Sequence, residues 1–220
     1  MYSQVESFDG TINADAVEYK NKVYKDNIHT VLLHPLGLPG KPPVLNLNTG
    51  GKLRLSFDDF ERELYDVNYT IVHCDAKWKK SDLDFYRYAQ GIEEGYLTDY
   101  SYSRTMYKQY LTYHLNFPNE EIKIIASGNY ILKVYKNNNK KDLILTQRFY
   151  VVENIVGINM EVNRAFDPTY RYTKQEVDFE IDHAKVALTN PSENVKVAVL
   201  QNWRWDNAIT DLKPLFVTGN

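Results

Sequence analysis

Apolar and polar residues alternate in short segments along most of this 220-residue chain, and turn-forming residues separate one segment from the next. Alternation places every second side chain on the same face of a strand, so each segment has one face suited to burial. Helical periodicity is scarce between the segments. The pattern predicts an all-β fold, an immunoglobulin- or fibronectin-like β-sandwich. The predicted strands of the first part of the chain are 28–34, 44–48, 52–57, 67–74, 110–117, 129–135 and 143–152.

Two pairs of these strands are joined by short loops and are predicted to form hairpins. Residues 44–48 and 52–57 flank Thr49-Gly50-Gly51, and residues 129–135 and 143–152 flank a polar loop rich in asparagine. Short loops of this composition favour antiparallel neighbours. In the first pair, one apolar face is expected to consist of Leu53, Leu55 and Phe57.

The strand pattern restarts after residue 153 and predicts three further strands, at 155–162, 175–183 and 195–201. Three strands are fewer than the roughly seven of a complete sandwich, so this part is expected to be incomplete. The predicted organisation is an N-terminal arm (1–27), an N-terminal β-sandwich domain (28–153) and the truncated start of a second β domain (154–220).

Charge and hydropathy argue against two classes of partner. The net charge is −3, and lysine and arginine never form a run longer than two residues, so no nucleic-acid partner is expected. No stretch of 18 apolar residues occurs, so no transmembrane helix is predicted. The N-terminal residues lack the pattern of a signal peptide, which leaves a cytoplasmic protein or a removed signal as alternatives.

The sequence holds no motif for nucleophilic catalysis, phosphate binding or dinucleotide binding, and the chain is expected not to be an enzyme. His73 and Cys74 are adjacent on a predicted strand, so their side chains diverge, and Cys74 is expected to be buried on the core side. A glycoside hydrolase needs two carboxylates facing one cleft. Several acidic residues occur between positions 58 and 63, but nothing in the sequence selects a pair.

Metal and cofactor sites are not expected. The five histidines are scattered without ligand spacing. Asp82, Asp84, Glu93 and Glu94 could offer oxygen ligands to calcium, but they lack EF-hand spacing and are expected to form a solvated acidic loop. No cofactor and no small-molecule ligand is predicted.

Aromatic residues supply the candidate binding residues. Trp203, Arg204 and Trp205 follow a predicted strand, and alternation would place both indoles on one face. Tyr100 and Tyr102 belong to a tyrosine-rich stretch, in a chain with 18 tyrosines in all. Such residues anchor protein interfaces, and parallel indoles also stack on sugars. The alternative for the indoles is one core tryptophan and one partly covered by Arg204, and the alternative for the tyrosines is that they are half-buried strand residues.

Stretches in a fixed order along the chain resemble one known family. The longest runs from 69 to 78 and reads Tyr-Thr-Ile-Val-His-Cys-Asp-Ala-Lys-Trp. The others are 28–35, 55–59, 97–100, 127–135, 156–158, 175–179, 199–202 and 205–209. Together they resemble the plug protein family of the bacterial type IX secretion system, found in Bacteroidetes.

The resemblance implies a non-enzymatic periplasmic protein, associated with the outer membrane, whose signal peptide has been removed. Its partner would be the outer-membrane translocation barrel, whose periplasmic opening it would block. Family members are about twice as long as this chain, and the family offers no catalytic residues to carry over. The alternative is a carbohydrate-binding β-sandwich module, which the Trp203 and Trp205 pair would favour.

Overall fold

The computed structural model of the chain describes residues 19–47, 49–61, 63–104, 107–210 and 212–217. These residues form short strands and two four-residue helices, here numbered in chain order. The strands are β1 (Lys22–Val23), β2 (Ile28–Pro35), β3 (Val44–Asn46), β4 (Leu53–Asp59), β5 (Val67–Cys74), β6 (Ala89–Gly91), β7 (Gly95–Tyr96), β8 (Asp99–Tyr102), β9 (Leu111–Phe117), β10 (Ile122–Ile124), β11 (Gly128–Lys136), β12 (Leu143–Val152), β13 (Gly157–Arg164) and β14 (Gln175–Asp182). The helices are α1 (Phe85–Tyr88) and α2 (Pro191–Asn194).

The chain divides into two compact units between Val152 and Glu153. The first unit contains β1 to β12 and α1, and the second contains β13, β14 and α2. None of the helices among the described residues is long and apolar enough to cross a lipid bilayer.

Two main sheets form the first unit. One sheet has four strands in the order β2-β4-β9-β8. The other has the order β1-β12-β11-β5-β7, with β3 running parallel to β12. The four-strand order and the β12-β11-β5 order are those of the two facing sheets of an immunoglobulin-type sandwich. The predicted all-β sandwich is therefore confirmed.

The core lies between these sheets because the strands alternate strictly. In β4 and in β9, every second residue is buried and the residues between them are half-buried. The facing sheet contributes side chains from β5, β11 and β12, and several of these are fully buried. The core residues of the two sheets include Leu53, Leu55, Phe57, Leu111, Tyr113, Leu115, Phe117, Tyr69, Ile71, Tyr130, Leu132, Val134 and Phe149.

The hairpin predicted from residues 44–48 and 52–57 is wrong. β3 pairs in parallel with the end of β12, whereas β4 lies in the other sheet between β2 and β9. Alternation is the same whichever sheet a strand joins, so periodicity could not distinguish a hairpin from a crossing between sheets. The predicted apolar face of β4 is confirmed, since Leu53, Leu55 and Phe57 are all buried. The hairpin formed by β11 and β12 is also confirmed.

The described part of the predicted N-terminal arm packs on the sheet that contains β12. β1 pairs with β12, and the Thr146 hydroxyl donates to the Lys20 carbonyl at 2.7 Å. The Arg148 side chain donates through Nε to the Tyr19 carbonyl at 2.7 Å. Residues 1–18 of the predicted arm lie outside the described residues.

The stretch between β5 and β9, predicted as an aromatic-rich connection, carries the chain from one sheet to the other. β7 pairs with β5 in the first sheet, and three residues later β8 pairs with β9 in the second. Gly95 permits this crossing, because a Cβ atom at this position would lie 2.4 Å from the ring of Tyr69. The crossing leaves one edge of the sandwich open between β7 and β8.

The second unit is built on the antiparallel hairpin of β13 and β14. Its cross-strand pairs Ile158–Ile181, Met160–Phe179 and Val162–Val177 place six apolar side chains on one face. This confirms two of the three strands predicted here. The third, at 195–201, is wrong, because the described residues form only an isolated bridge between Val199 and Ile209.

Candidate interaction surface

β8 is the last strand of its sheet, and all four of its residues are exposed. Tyr100 pairs with the buried Tyr113 of β9, so Tyr100 and Tyr102 lie on the core-facing side of the sheet. Because β8 is the last strand of the sheet, the described residues cover these two side chains only in part. Tyr100 is 40% exposed and Tyr102 is 63% exposed. Their rings pack edge to face with centroids 6.0 Å apart. The structure thus places these two predicted binding residues together on an edge strand.

A pocket of about 260 Å³ opens beside Tyr100, where the chain crosses between the sheets. We call it the edge pocket. Its walls are largely aromatic, and it receives residues from the segment before β5, from β7, from β8 and from β9. The lining residues that matter below are Leu64, Tyr65, Asp66, Tyr96, Tyr100 and Tyr113.

One lining residue of the edge pocket, Tyr113, has a buried hydroxyl with unused hydrogen-bonding capacity. The Tyr113 side chain is buried, and its hydroxyl has no hydrogen-bond partner among the described residues. Burial raises the pKa of Tyr113 to about 12, with a further contribution from the nearby Asp59 carboxylate. The hydroxyl therefore stays neutral and can both donate and accept a hydrogen bond.

A buried carboxylate holds the neighbouring wall in place. Asp59 accepts hydrogen bonds from Asn27 Nδ2 at 2.6 Å and from the Glu61 backbone N–H at 2.8 Å. It also accepts a hydrogen bond from the Tyr65 hydroxyl, and burial together with this bond raises the pKa of Tyr65 above its usual range. Lys136 lies 3.7 Å from the centre of the Tyr65 ring. Tyr65 is therefore fixed on both sides.

A second, larger depression lies next to Tyr102. This cleft of about 520 Å³ is lined by Glu61, Glu63, Tyr102, Gln109, Tyr110 and Leu111. Glu61 forms an ion pair of 2.6 Å with Lys136, whose side chain is mostly buried. The cleft and the edge pocket lie on the same strand, one beside each of the two exposed tyrosines of β8.

Trp203, Arg204 and Trp205 do not lie in or directly after a strand. They lie in consecutive turns, and both Asn202 and Trp203 have the positive φ values of 55° and 60°. Trp203 is 52% exposed, while Trp205 is half-buried. Strand alternation therefore does not apply to these residues, because a left-handed backbone interrupts it. The carbohydrate-binding alternative keeps the β-sandwich but loses the support of strand alternation for a pair of parallel indoles.

Arg204 is held by a neighbour in the same turn. Its Nε donates to Asp206 Oδ1 at 3.0 Å, and its Nη2 donates to Asp206 Oδ2 at 2.5 Å. Both side chains are largely exposed. These three residues belong to the second unit and the β8 tyrosines to the first, so the structure divides the predicted binding residues between the two units.

The side chains of His73 and Cys74 point to opposite faces of β5, as predicted. Cys74, however, does not lie on the face that was expected for it. His73 lies on the core-facing side, where Nδ1 is 2.8 Å from Ser81 Oγ, and burial lowers its pKa. Cys74 is only 2% exposed, and burial raises the pKa of its thiol to about 11. It faces away from the core with Arg148 and Tyr150, because alternation assigns the core side to Ile71 and His73. Burial of Cys74 is confirmed, and its assignment to the core side is wrong.

The acidic connection has no metal-binding arrangement. Among the described residues, no group of three or more histidine, cysteine or acidic side chains converges. Glu94 instead accepts a hydrogen bond from the Tyr135 hydroxyl at 2.8 Å and pairs with Lys140. The hydrogen bond from Lys140 lowers the pKa of Glu94.

Several residues that line the edge pocket could not be identified as binding residues from the sequence. Leu64, Tyr65 and Asp66 precede β5 in an irregular segment, and Tyr113 has the pattern of an ordinary core residue of β9. Only the pairing of β7 and β8 with different sheets brings these residues around one pocket. The tyrosine-rich composition was the one available indication.

Comparison with known proteins yields a matching protein family and solved structures of similar fold. The family model described as "Type 9 secretion system plug protein 1st domain" matches residues 28–153. A crystal structure of a hypothetical protein from Parabacteroides merdae is 30% identical, with a TM-score of 0.88. The similarity covers 93% of this chain and 51% of that one, so the chain spans about half the length of its structural relative.

Other comparisons add little. An alkylpurine DNA glycosylase AlkC of Pseudomonas fluorescens, bound to DNA, shares 15% identity over 57% of this chain and 30% of its own, with a TM-score of 0.33. That similarity is too low to bear on fold or function. No curated protein sequence matches the chain. From the match over residues 28–153 and the likeness to the longer structure, the chain belongs to the type 9 secretion system plug protein family.

Proposed function

We propose that the protein to which this chain belongs is a non-enzymatic periplasmic plug, which docks on the outer-membrane barrel of the type IX secretion system and blocks its periplasmic opening. The observation that carries the proposal is the family match across the whole first sandwich. The exposed edge strand β8, with Tyr100 and Tyr102, supports a role exercised through contact.

The architecture suits a stopper. A barrel that passes folded cargo has to be closed by a body that does not collapse, and a two-sheet sandwich with a continuous aromatic core is rigid. In this core, Phe117 and Phe149 pack edge to face across the sheets with ring centroids 5.1 Å apart. Tyr130 stacks on Phe149 at the same separation.

Docking would use aromatic anchors surrounded by polar contacts. Tyrosine is enriched at the centres of protein interfaces, since it offers a large apolar ring at a small cost in conformational entropy. Tyr100 and Tyr102 are exposed side by side, and the carboxylates of Glu61 and Glu63 lie beside them. We propose this edge of the first unit as the docking surface.

We also propose that residues 28–153 form an independent domain. The two-unit division and the family match end at the same place. Limited proteolysis of the chain should leave a stable fragment that ends near residue 153. A digest that passes directly to small peptides would count against an independent domain.

The proposed function is tested by deleting the gene in the bacterium that makes the protein. A missing stopper should let large antibiotics such as vancomycin cross the outer membrane, while secretion of cargo should fall little. The full-length protein should copurify with the translocation barrel from a mild detergent extract. Unchanged antibiotic sensitivity, together with a copurified fraction free of the barrel, would overturn the proposal.

A further inference from the structure

Within the described part of the chain, β8 pairs with β9 on one side and with no strand on the other. The Ser103 N–H donates to the Tyr110 carbonyl at 2.9 Å, and β8 then pairs with β9 in regular antiparallel register. Hydrogen-bonded pairs alternate along such a ladder. Ser101 and Asp99 therefore point their backbone groups toward β9, while Tyr100 and Tyr102 point theirs away from the sheet. An extended peptide can bind to such an edge as an added strand.

A strand added to β8 would present its alternate side chains beside Tyr100 and Tyr102. Neighbouring strands keep their side chains on matching faces, so every second residue of the new strand would lie on the core-facing side. On that side, next to Tyr100, lies the edge pocket. Its volume of about 260 Å³ is below the usual range for small-molecule sites and suits a single long side chain.

The lining of the pocket favours a planar cation. Tyr96 and Tyr100 are 50% and 40% exposed and offer ring faces for stacking, and Asp66 supplies a carboxylate. The Tyr113 hydroxyl is buried and has no hydrogen-bond partner among the described residues, so a guest N–H group would reach it after a small shift of the lining.

The cleft next to the edge pocket is also lined by negatively charged side chains. Glu61 and Glu63 line the adjacent cleft next to Tyr102. Lys136, which lies over the Tyr65 ring in the pocket wall, is already paired with Glu61. Arginine meets these conditions better than lysine, because its flat guanidinium stacks on aromatic rings and donates several hydrogen bonds.

We infer that the edge pocket binds an arginine side chain, presented by an extended segment of a protein partner that pairs with β8. The inference deepens the proposed function and rests on it for the nature of the partner. The pairing supplies affinity through the backbones of Tyr100 and Tyr102, and the pocket supplies the preference for arginine.

The pocket is tested with synthetic peptides and the 220-residue chain. The probe is acetyl-Thr-Val-Arg-Val-Thr-amide, with lysine, citrulline or leucine replacing arginine in three matched peptides. Titrations followed by amide NMR should shift the signals of β8 and of the segment around Asp66. The arginine peptide should bind at least about fivefold more tightly than the lysine peptide and tenfold more tightly than the other two. Isolated acetyl-arginine-amide should bind more weakly than the arginine peptide.

Substitutions of single residues test whether the arginine peptide binds in the edge pocket. Asp66→Asn and Tyr100→Ala change exposed side chains, and each should weaken the arginine peptide at least about fivefold while the NMR spectrum stays folded. Tyr113→Phe should weaken it about threefold. Tyr86→Ala, a change at a 73% exposed tyrosine outside the pocket lining, should leave the affinity unchanged.

Equal binding of the arginine and leucine peptides, or shifts confined to residues outside β8 and the pocket, would overturn the inference. Failure with the peptides while the full-length protein still copurifies with the barrel would reject the pocket and leave the proposed function standing. Arginine-selective binding that is lost in Asp66→Asn supports the pocket whatever the copurification shows.

Discussion

The hydroxyl of Tyr130 donates a hydrogen bond of 2.7 Å to the carbonyl oxygen of Ala126, four residues earlier in the chain. Tyr130 lies near the start of β11 and is fully buried. In immunoglobulin-type sandwiches, a tyrosine at the same point of the equivalent strand makes the same backward bond. The bond fixes the corner through which the chain enters the central strand of its sheet.

Tyr130→Phe should lower the free energy of unfolding by about 1 kcal/mol, because the half-buried Ala126 carbonyl loses its hydrogen-bond partner. Ring packing against Phe149 is kept, so the loss reports the hydroxyl alone. Urea unfolding followed by tryptophan fluorescence measures it. Tyr86→Phe, at an exposed position, is the matched control and should change stability very little. Equal stability of the two variants would show that the corner bond contributes nothing.

Gly91 should not accept a side chain. Its φ is +107°, and a Cβ atom would lie 1.9 Å from the carbonyl oxygen of Glu121. Glu121 immediately precedes β10, which pairs antiparallel with β6 and places Ile122 opposite Gly91. Gly91→Ala should therefore cost more than about 1 kcal/mol, since both the backbone and the strand pairing must adjust. Gly51→Ala is the control, because its nearest side-chain neighbours lie at 3.5 Å. Similar thermal midpoints for the two variants would contradict the described pairing of β6 with β10.

Alkaline pH should unfold the protein through its buried tyrosines. Burial raises the pKa of Tyr69, Tyr88 and Tyr113 to about 12 in the folded state, above the usual value near 10. Between these values the unfolded chain holds fewer protons than the folded one, so stability falls as pH rises from about 10 to about 12. Tyrosinate absorbance should appear in two groups, exposed tyrosines first and buried ones with unfolding. A single transition near pH 10 without loss of structure would contradict this.

Cys74 should react slowly in the native protein. The thiol is 2% exposed, and burial raises its pKa to about 11, so the reactive thiolate is scarce near neutral pH. Cys74→Ser should lower stability by about 1–3 kcal/mol if the new hydroxyl finds no partner. A maleimide reagent should label the native chain far more slowly than the urea-unfolded chain. Equal labelling rates would refute the burial of this thiol.

Strands with an unambiguous alternating pattern were predictable. Val67–Cys74 and Leu143–Val152 have the predicted bounds, since each combines β-branched or aromatic residues with clear turn signals on both sides. Alternation does not identify the neighbouring strand, and the pairing of β3 was therefore missed. The left-handed conformation of Asn202 and Trp203 was missed for a related reason, because composition alone does not reveal a turn at these two residues.

The candidate surface was predictable only in part. Tyr100 and Tyr102 stood out by composition, and the structure places them together on an exposed edge. The edge pocket depends on contacts between Asp66, Tyr96 and Tyr113, which lie far apart in sequence. Such convergence follows from the crossing between sheets, and no local pattern records that crossing.

The central claim is that the protein docks on the translocation barrel through the edge of its first unit, and site-specific photocrosslinking tests it most directly. In the bacterium that makes the protein, a photoreactive benzoylphenylalanine would replace Tyr102 in the full-length chain, and in a second strain Tyr86. Illumination should join the Tyr102 variant, and not the Tyr86 variant, to the outer-membrane barrel, identified by mass spectrometry. A folded Tyr102 variant that forms no adduct with the barrel, or equal adducts from both positions, would contradict the account.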